Sequence, residues 1–304
     1  MWPLNTHMDI KNIHVEASTY CNARCPLCPR SLYGYKVKGV YPETHLKIDK
    51  FRECLDLFPD RNFVYFNGNL GDPMMNPDIL SLTELTGCRT SITTNGSIGS
   101  EATWTRLAEK NVEVVFSVDG LEDTNHLYRQ DVPWNKVMER MKWFTGAGGK
   151  ATWKFVVFKH NSHQKSQARE LSEKLGFINF VIEDHGRNYG PALDRDGNIS
   201  HWILPEDNSM SPTPYDVPAG IERYKSTHYN FKLEKRKYDI SCEHLNDKSV
   251  YIDARGRVSP CCYQGFDLPD LPFVELNRFP DLEKSWKTNS CDPICAQSCA
   301  LKTL

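Results

Sequence analysis

The amino-acid sequence predicts an α/β protein: six β-type runs separated by helical stretches and closed part-way into a barrel, followed by a smaller cysteine-rich region. Three observations predict it. Between Ile10 and Ile182, short apolar runs of strand length alternate with stretches whose apolar residues recur at helical spacing. Strands alternating with helices imply a parallel sheet with right-handed crossovers. Nine of the eleven cysteines fall in two groups at opposite ends of the chain, and only Cys54 and Cys88 stand apart, as core residues.

The first strand covers 13–17. A helix is expected over 46–58, where Ile48, Phe51, Leu55 and Phe58 recur at helical spacing, and a second strand over 63–66. A short helix over 77–85 follows, with Asn76 as its N-cap and Pro77 at its first position. The third strand covers 90–94, Ser100 caps a helix running to 109, and the fourth strand covers 113–118. A helix over 133–144 stops at Gly146-Ala147-Gly148-Gly149. The fifth strand covers 152–158, a helix over 162–175 ends at Gly176, and the sixth strand covers 178–182. Six such units give a partial (β/α)6 TIM-like barrel over 1–185, open on one side, with its active site at the C-terminal ends of the strands. The stretch 186–240 carries Gly190-Pro191, Asp196-Gly197-Asn198 and Ser211-Pro212-Thr213-Pro214 with little periodicity, and reads as a linker or a cap. The remainder, 241–304, holds the second cysteine group and a β-hairpin over 251–258.

With 304 residues, 39% of them apolar, the chain can build one large core and a small second one. A net charge of −2 gives no field of one sign, so neither nucleic acid nor an anionic membrane is an expected partner. No apolar run approaches the ~20 residues that span a bilayer. Residues 1–7 lack a basic region followed by an apolar one, so no signal peptide is expected. Eleven cysteines in an unexported, cytoplasmic chain should be reduced thiols, and their clustering argues for metal.

The first group is Tyr20-Cys21-Asn22-Ala23-Arg24-Cys25-Pro26-Leu27-Cys28-Pro29, three cysteines at C-x3-C-x2-C spacing in a loop after the first strand. Three thiols so close make a poor disulfide framework. They suit three irons of a four-iron cube, with the fourth iron open for chemistry. The same spacing also serves a zinc knuckle or a redox-sensing group. This stretch resembles the cluster loop of radical S-adenosylmethionine (SAM) enzymes, C-x3-C-x-aromatic-C, with Leu27 at the aromatic position. The resemblance implies that Cys21, Cys25 and Cys28 bind a [4Fe-4S] cluster whose open iron SAM chelates. SAM is then cleaved to methionine and a 5′-deoxyadenosyl radical.

Four further turns follow strands two to five in order, and over about 10–182 they resemble the same family's motifs. Asn67-Gly68-Asn69-Leu70-Gly71-Asp72-Pro73 is similar to a Gly-Gly-Glu-Pro turn, with Gly71 and Asp72 placed to hold the SAM amino group. Thr93-Thr94-Asn95-Gly96 resembles the Thr-Asn-Gly found after the third strand. Ser117-Val118-Asp119-Gly120 with Arg129 resembles a strand end that implies Ser117 and Asp119 at the ribose or substrate, and Arg129 at the SAM carboxylate. Asn161, after the fifth strand, is expected near the adenosine, and His160 beside it reads equally as a surface or capping residue. Taken singly, each is an ordinary turn signature.

The second group resembles a SPASM or twitch extension: Cys242, thirteen residues, Gly256, four residues, Cys261. Cys291, Cys295 and Cys299 follow at x3 spacing. The resemblance implies one auxiliary [4Fe-4S] cluster held by Cys242, Cys261 and two of Cys291, Cys295 and Cys299, although four thiolates suit structural zinc equally. Cys262 is a spare core thiol or a hydrogen-atom donor. Glu183, Asp184 and His185 follow the sixth strand, and Glu183 or His185 is the expected base. The implied activity is hydrogen abstraction from a small-molecule or peptide substrate, ending in a net oxidation or a new bond. A flavodoxin- or ferredoxin-type electron donor is the expected partner. An iron–sulfur electron carrier without turnover, or a zinc-stabilised binding module, is the competing class.

Overall fold

The structure, a computed structural model, describes residues 9–37, 43–183, 189–207, 209–226, 239–265, 273–286 and 291–299. Six strands run parallel in chain order: β1 (Asn12–Val15), β2 (Phe63–Asn67), β3 (Arg89–Thr94), β4 (Glu113–Ser117), β5 (Ala151–Val156) and β6 (Asn179–Glu183). Between them lie α1 (Ile48–Asp56), α2 (Ile79–Leu85), α3 (Glu101–Glu109), α4 (Asn125–Tyr128), α5 (Trp134–Gly146) and α6 (Lys165–Lys174). This is the expected open barrel. Among the described residues no helix is long and apolar enough to cross a membrane.

Strand alternation divides the sheet into two faces. Val64, Phe66, Ile92, Val114, Phe116, Trp153 and Phe155 have no exposed surface and meet buried helix residues such as Phe51, Leu82, Trp104 and Phe144. The intervening residues Asn67, Thr93, Ser117, Lys154 and Glu183 turn the other way, into the barrel's mouth. The apolar core therefore lies between sheet and helices, and the chemistry-bearing side chains share the opposite face.

Local signals set most boundaries. Ser100 accepts from the Thr103 amide and caps α3 as expected. The helix α6 closes with Phe177 N bonded to Ser172 O and Gly176 N to Glu173 O, with Gly176 at φ +78°. The start of α2 differs from expectation. It begins at Ile79, two residues late; Asn76 caps the turn before it, its Oδ1 accepting from Asp78 N at 2.8 Å, while its amide donates to Ala17 O at 2.7 Å and Leu46 O at 3.0 Å and ties two loops together. The four-residue α4 carries too few positions for a periodic signal.

The stretch left as linker or cap contains a hairpin, β7 (Gly190–Leu193) with β8 (Ile199–Ile203), and a helix, α7 (Val217–Ser226). It packs on the segments after β4 and β5, with Ala192 and Ile203 against Tyr128, Val156 and Phe158, and on the loop after β1. Leu193 N donates to Tyr33 O, Tyr224 Oη donates to Pro29 O, and Leu32, Val37 and Leu193 form a small apolar cluster with Val217 and Ile221.

The cysteine-rich region holds α8 (Glu243–Asn246), β9 (Ser249–Ile252), β10 (Val258–Ser259), α9 (Phe279–Trp286) and α10 (Pro293–Cys299). The expected hairpin is present, but it is also part of the barrel's sheet. β9 pairs parallel with β1, Ile13 opposite Val250, and β10 pairs antiparallel with β9. The sheet thus runs β10-β9-β1-β2-β3-β4-β5-β6.

Candidate active site

A cavity of about 780 Å³ opens at the C-terminal ends of the strands. Cys21, Cys25 and Cys28 form part of its wall, and the 67–72 turn, the ends of β3 to β6, and α7 form others. The cysteine loop is fixed by main-chain bonds, with Cys28 N on Cys25 O, Arg24 N on Gln130 O and Asp72 N on Tyr20 O. The buried Arg30 guanidinium donates to Thr19 O and to Leu70 O. Leu27 packs on the cluster of Tyr128, Val156 and Phe158, so it fills the aromatic position's packing role.

N–H donors approach the thiols. Arg129 Nη1 is 3.7 Å from Cys25 Sγ, and Asn95 Nδ2 is 4.0 Å from Cys21 Sγ. Burial first, then Asp72, Cys25 and Cys28, push the Cys21 thiol well above its ordinary pKa, so a metal must displace its proton. Among the described residues no three Cys, His, Asp or Glu side chains close on one point as a single ion's ligands do. A four-iron cube spreads its thiolates more widely than one zinc ion, whose bonds to sulfur are about 2.3 Å. Three thiols on a cavity wall with N–H groups aimed at sulfur fit such a cube.

The 67–72 turn is built by a residue to which the sequence reading gave no role. Glu16, 1% exposed, accepts from the amides of Asn69 (2.6 Å), Leu70 (3.2 Å) and Gly71 (3.0 Å) and from Tyr251 Oη (3.2 Å). Its only sequence signal is a charge inside a strand otherwise destined for burial. Asp72, expected to hold an ammonium, instead spends its oxygens on Met74 N, Thr94 Oγ1 and Asn95 N. Asn95 passes the bracing on, from its side chain to Asn22 Oδ1 at 2.9 Å.

His14, on β1, is buried against Tyr65 and Tyr251, with Nε2 on Asn67 O. Burial takes His14 from 6.5 down to about 4 and takes Glu16 from 4.5 up to about 7. The signs are opposite. The His14 contribution to stability is full above pH 6.5 and is lost as pH falls toward about 4; the Glu16 contribution is full below pH 4.5 and is lost as pH rises to about 7. Between pH 4.5 and 6.5 the two offset each other. Glu16→Gln should therefore unmask His14: the metal-free variant loses about 3 kcal/mol more than the parent protein on going from neutral pH to pH 4, read from urea midpoints. Parallel profiles for the two proteins would show that this linkage is absent.

At the ends of β4 and β5 the structure separates two expected ligand contacts from the cavity. Asp119 has no exposed surface. It accepts from Arg129 Nε at 2.6 Å and Val156 N at 2.7 Å, so it positions Arg129 and does not line the cavity. Asn161, also fully buried, bonds Asp119 O, Val156 O and Phe158 N, braces two strand ends, and does not line the cavity. A buried Asn or Asp after a strand serves as backbone brace as readily as ligand, and sequence does not distinguish them. Ser117 and Arg129 do line the cavity. His160 is half-buried and stacks on Phe158. Glu183 lines the cavity and pairs with Lys154 on β5 at 2.5 Å. Asp184 and His185 lie outside the described residues.

No family model matches the chain. The solved structure of Streptococcus suis SuiB bound to S-adenosylmethionine superposes with a TM-score of 0.57 at 17% identity, over 94% of this chain and 67% of that one. Native anSMEcpe with bound AdoMet and the Cp18Cys peptide gives 0.52 at 16% identity, over 87% and 76%. These are likenesses of fold. A curated relative, the tungsten-containing aldehyde ferredoxin oxidoreductase cofactor-modifying protein of Pyrococcus furiosus, is 30% identical over 271 residues, 83% of this chain and 71% of the relative. The chain belongs to the radical SAM enzyme family.

In this radical SAM chain the cysteines of the second group lie at or near the ends of three elements. Cys242 precedes α8, Cys261 follows β10, Cys291 precedes α10, and Cys295 and Cys299 lie one turn apart on it. Cys261, Cys291 and Cys295 are buried. Ser241 N donates to Cys299 O, Gln264 Nε2 lies 3.5 Å from Cys295 Sγ, and Asp292 Oδ1 caps α10 through the amides of Ile294 and Cys295. Burial pushes the Cys295 thiol up to about 12. Cys262 turns away from this group and lines the main cavity beside Tyr263, so it is not a core thiol.

Proposed function

We propose that this radical SAM enzyme cleaves SAM reductively at a cluster on Cys21, Cys25 and Cys28 and abstracts a hydrogen atom from a substrate held in the 780 Å³ cavity. When bound, the cluster with SAM supplies one electron and a 5′-deoxyadenosyl radical. Arg129, held by Asp119, faces the SAM carboxylate; Ser117 faces the ribose; the Gly71-Asp72 turn and Asn95 shape the floor under the cysteines. Glu183 takes a proton from the substrate, with Lys154 holding it as a carboxylate until then. Cys242, Cys261 and two of the cysteines at 291, 295 and 299 would hold an auxiliary [4Fe-4S] cluster, which would supply a one-electron acceptor for a net oxidation or a bond formation.

One observation supports this most: the three cysteines at cluster spacing share a single cavity with Arg129, Ser117 and Glu183. The cavity is of small-molecule size. The reacting group is therefore a small molecule or a side chain delivered on a peptide. The relative from Pyrococcus furiosus is named for a cofactor and the anSMEcpe structure contains a peptide, and both fit a group of that size.

The test is anaerobic reconstitution with iron and sulfide, followed by SAM and dithionite. About eight irons per chain with 5′-deoxyadenosine formed is the expected result. About four irons with cleavage would return the second cysteine group to zinc or structure. A full iron load without cleavage would favour an electron carrier.

A further inference from the structure

A second cavity, of about 320 Å³, has the same three cysteines in its wall. None of the strand-end residues that line the first cavity line this one, so it reaches the cysteine loop from another side. Its remaining charged lining is Arg24, Arg30, Lys36, Arg195 and Asp131. Among the described residues, the two carboxylates that pair with these cations are each shared by two of them. Asp131 lies between Arg24 at 2.6 Å and Arg195 at 3.1 Å, and Glu43 lies between Arg30 at 2.6 Å and Lys36 at 2.5 Å. Four cations against two carboxylates leave +2 here, on a chain whose net charge is −2. Asp194, next to Arg195, bonds back into its own hairpin turn and does not line the cavity. Arg195 and Lys36 present their heads to solvent, with side chains 75% and 56% exposed.

We propose that this basic recess docks a small acidic one-electron carrier protein, and that the electron enters through the 21–28 loop from this side. The proposal rests on the reading of Cys21, Cys25 and Cys28 as cluster ligands. The first cavity is filled by SAM and substrate during turnover, whereas the recess stays open. One electron passes: the carrier is oxidised by one, the cluster is reduced by one, and no atom is transferred. Complementary charge raises the encounter rate and makes it salt-sensitive. A small inorganic reductant has no docking requirement.

The experiment compares reduced flavodoxin with dithionite on the loaded enzyme, following loss of cluster absorbance in stopped flow. In Lys36→Glu/Arg195→Glu, reduction by flavodoxin at low salt should slow at least about tenfold, while iron content and dithionite reduction stay unchanged. The parent rate should fall toward the variant's at about 0.5 M salt, where charges are screened. The neutral pair Lys36→Gln/Arg195→Gln should give an intermediate rate. Parent-like flavodoxin rates in both variants would overturn the docking surface. If dithionite also fails to reduce the parent protein, the cluster assignment beneath the proposal is what fails.

Discussion

Replacing Cys21, Cys25 and Cys28 together by alanine should reduce 5′-deoxyadenosine formation to background while leaving the metal of the second cysteine group in place. About four of about eight irons should disappear. Each cysteine supplies a thiolate for which Arg129 and Asn95, which reach Cys25 and Cys21 as N–H donors, are no substitute. The loop lies outside every strand of the sheet, and its anchors are main-chain bonds and the Arg24 and Arg30 side chains, none of which the substitutions remove, so the fold should survive, with unchanged far-ultraviolet circular dichroism. Iron content and product are measured on the same sample. Continued 5′-deoxyadenosine formation in the variant would mean that the first site has been placed wrongly.

The second large effect is expected from one methyl group. In Gly71→Ala the new Cβ would lie 1.9 Å from Ser18 O and 2.7 Å from Tyr20 O, where contacts under 3.0 Å force something to move. Both obstacles are backbone, and neither can swing aside as a long side chain would. The turn is also pinned from below, by Gly71 N on Glu16 and Asp72 N on Tyr20 O. The displacement of about 1 Å therefore passes to the residues leading into Cys21, and a misplacement of that size costs catalysis about 100-fold. SAM cleavage per loaded cluster should fall by that factor, or the cluster should fail to load. Gly146→Ala is the control: it sits in α5 with nothing within 4 Å of the new methyl, and should be neutral or slightly stabilising. Parent-like turnover in Gly71→Ala would refute the close packing of turn on loop.

The strands were legible because a half-buried strand declares itself by alternation. Val64 and Phe66 against Tyr65 and Asn67 is such a pattern. The cysteine loop was legible because ligand spacing is local. What failed was local chemistry with a distant partner. Asn76 makes its local capping bond to Asp78 N, but its amide also ties Ala17 and Leu46, and no local pattern shows that. Asp119 and Asn161 stand at the right strand ends but point inward, since each has backbone groups to satisfy there. The role of Glu16 depends on three amides more than fifty residues away. The pairing of β9 with β1 has no signature at all, because a parallel partner is chosen by topology and not by the strand's own residues.

That pairing also sets an order of events during synthesis. β1 to β6 are translated well before Ser249, so β1 first acquires one neighbour, β2, and waits with its other edge bare. The missing partner is more than two hundred residues downstream, the kind of contact that forms slowly. Meanwhile an apolar strand edge stands next to three cysteine thiols, a combination open to mispairing and aggregation. The cradle of the first cysteine group is completed late, by a strand that belongs in sequence to the second.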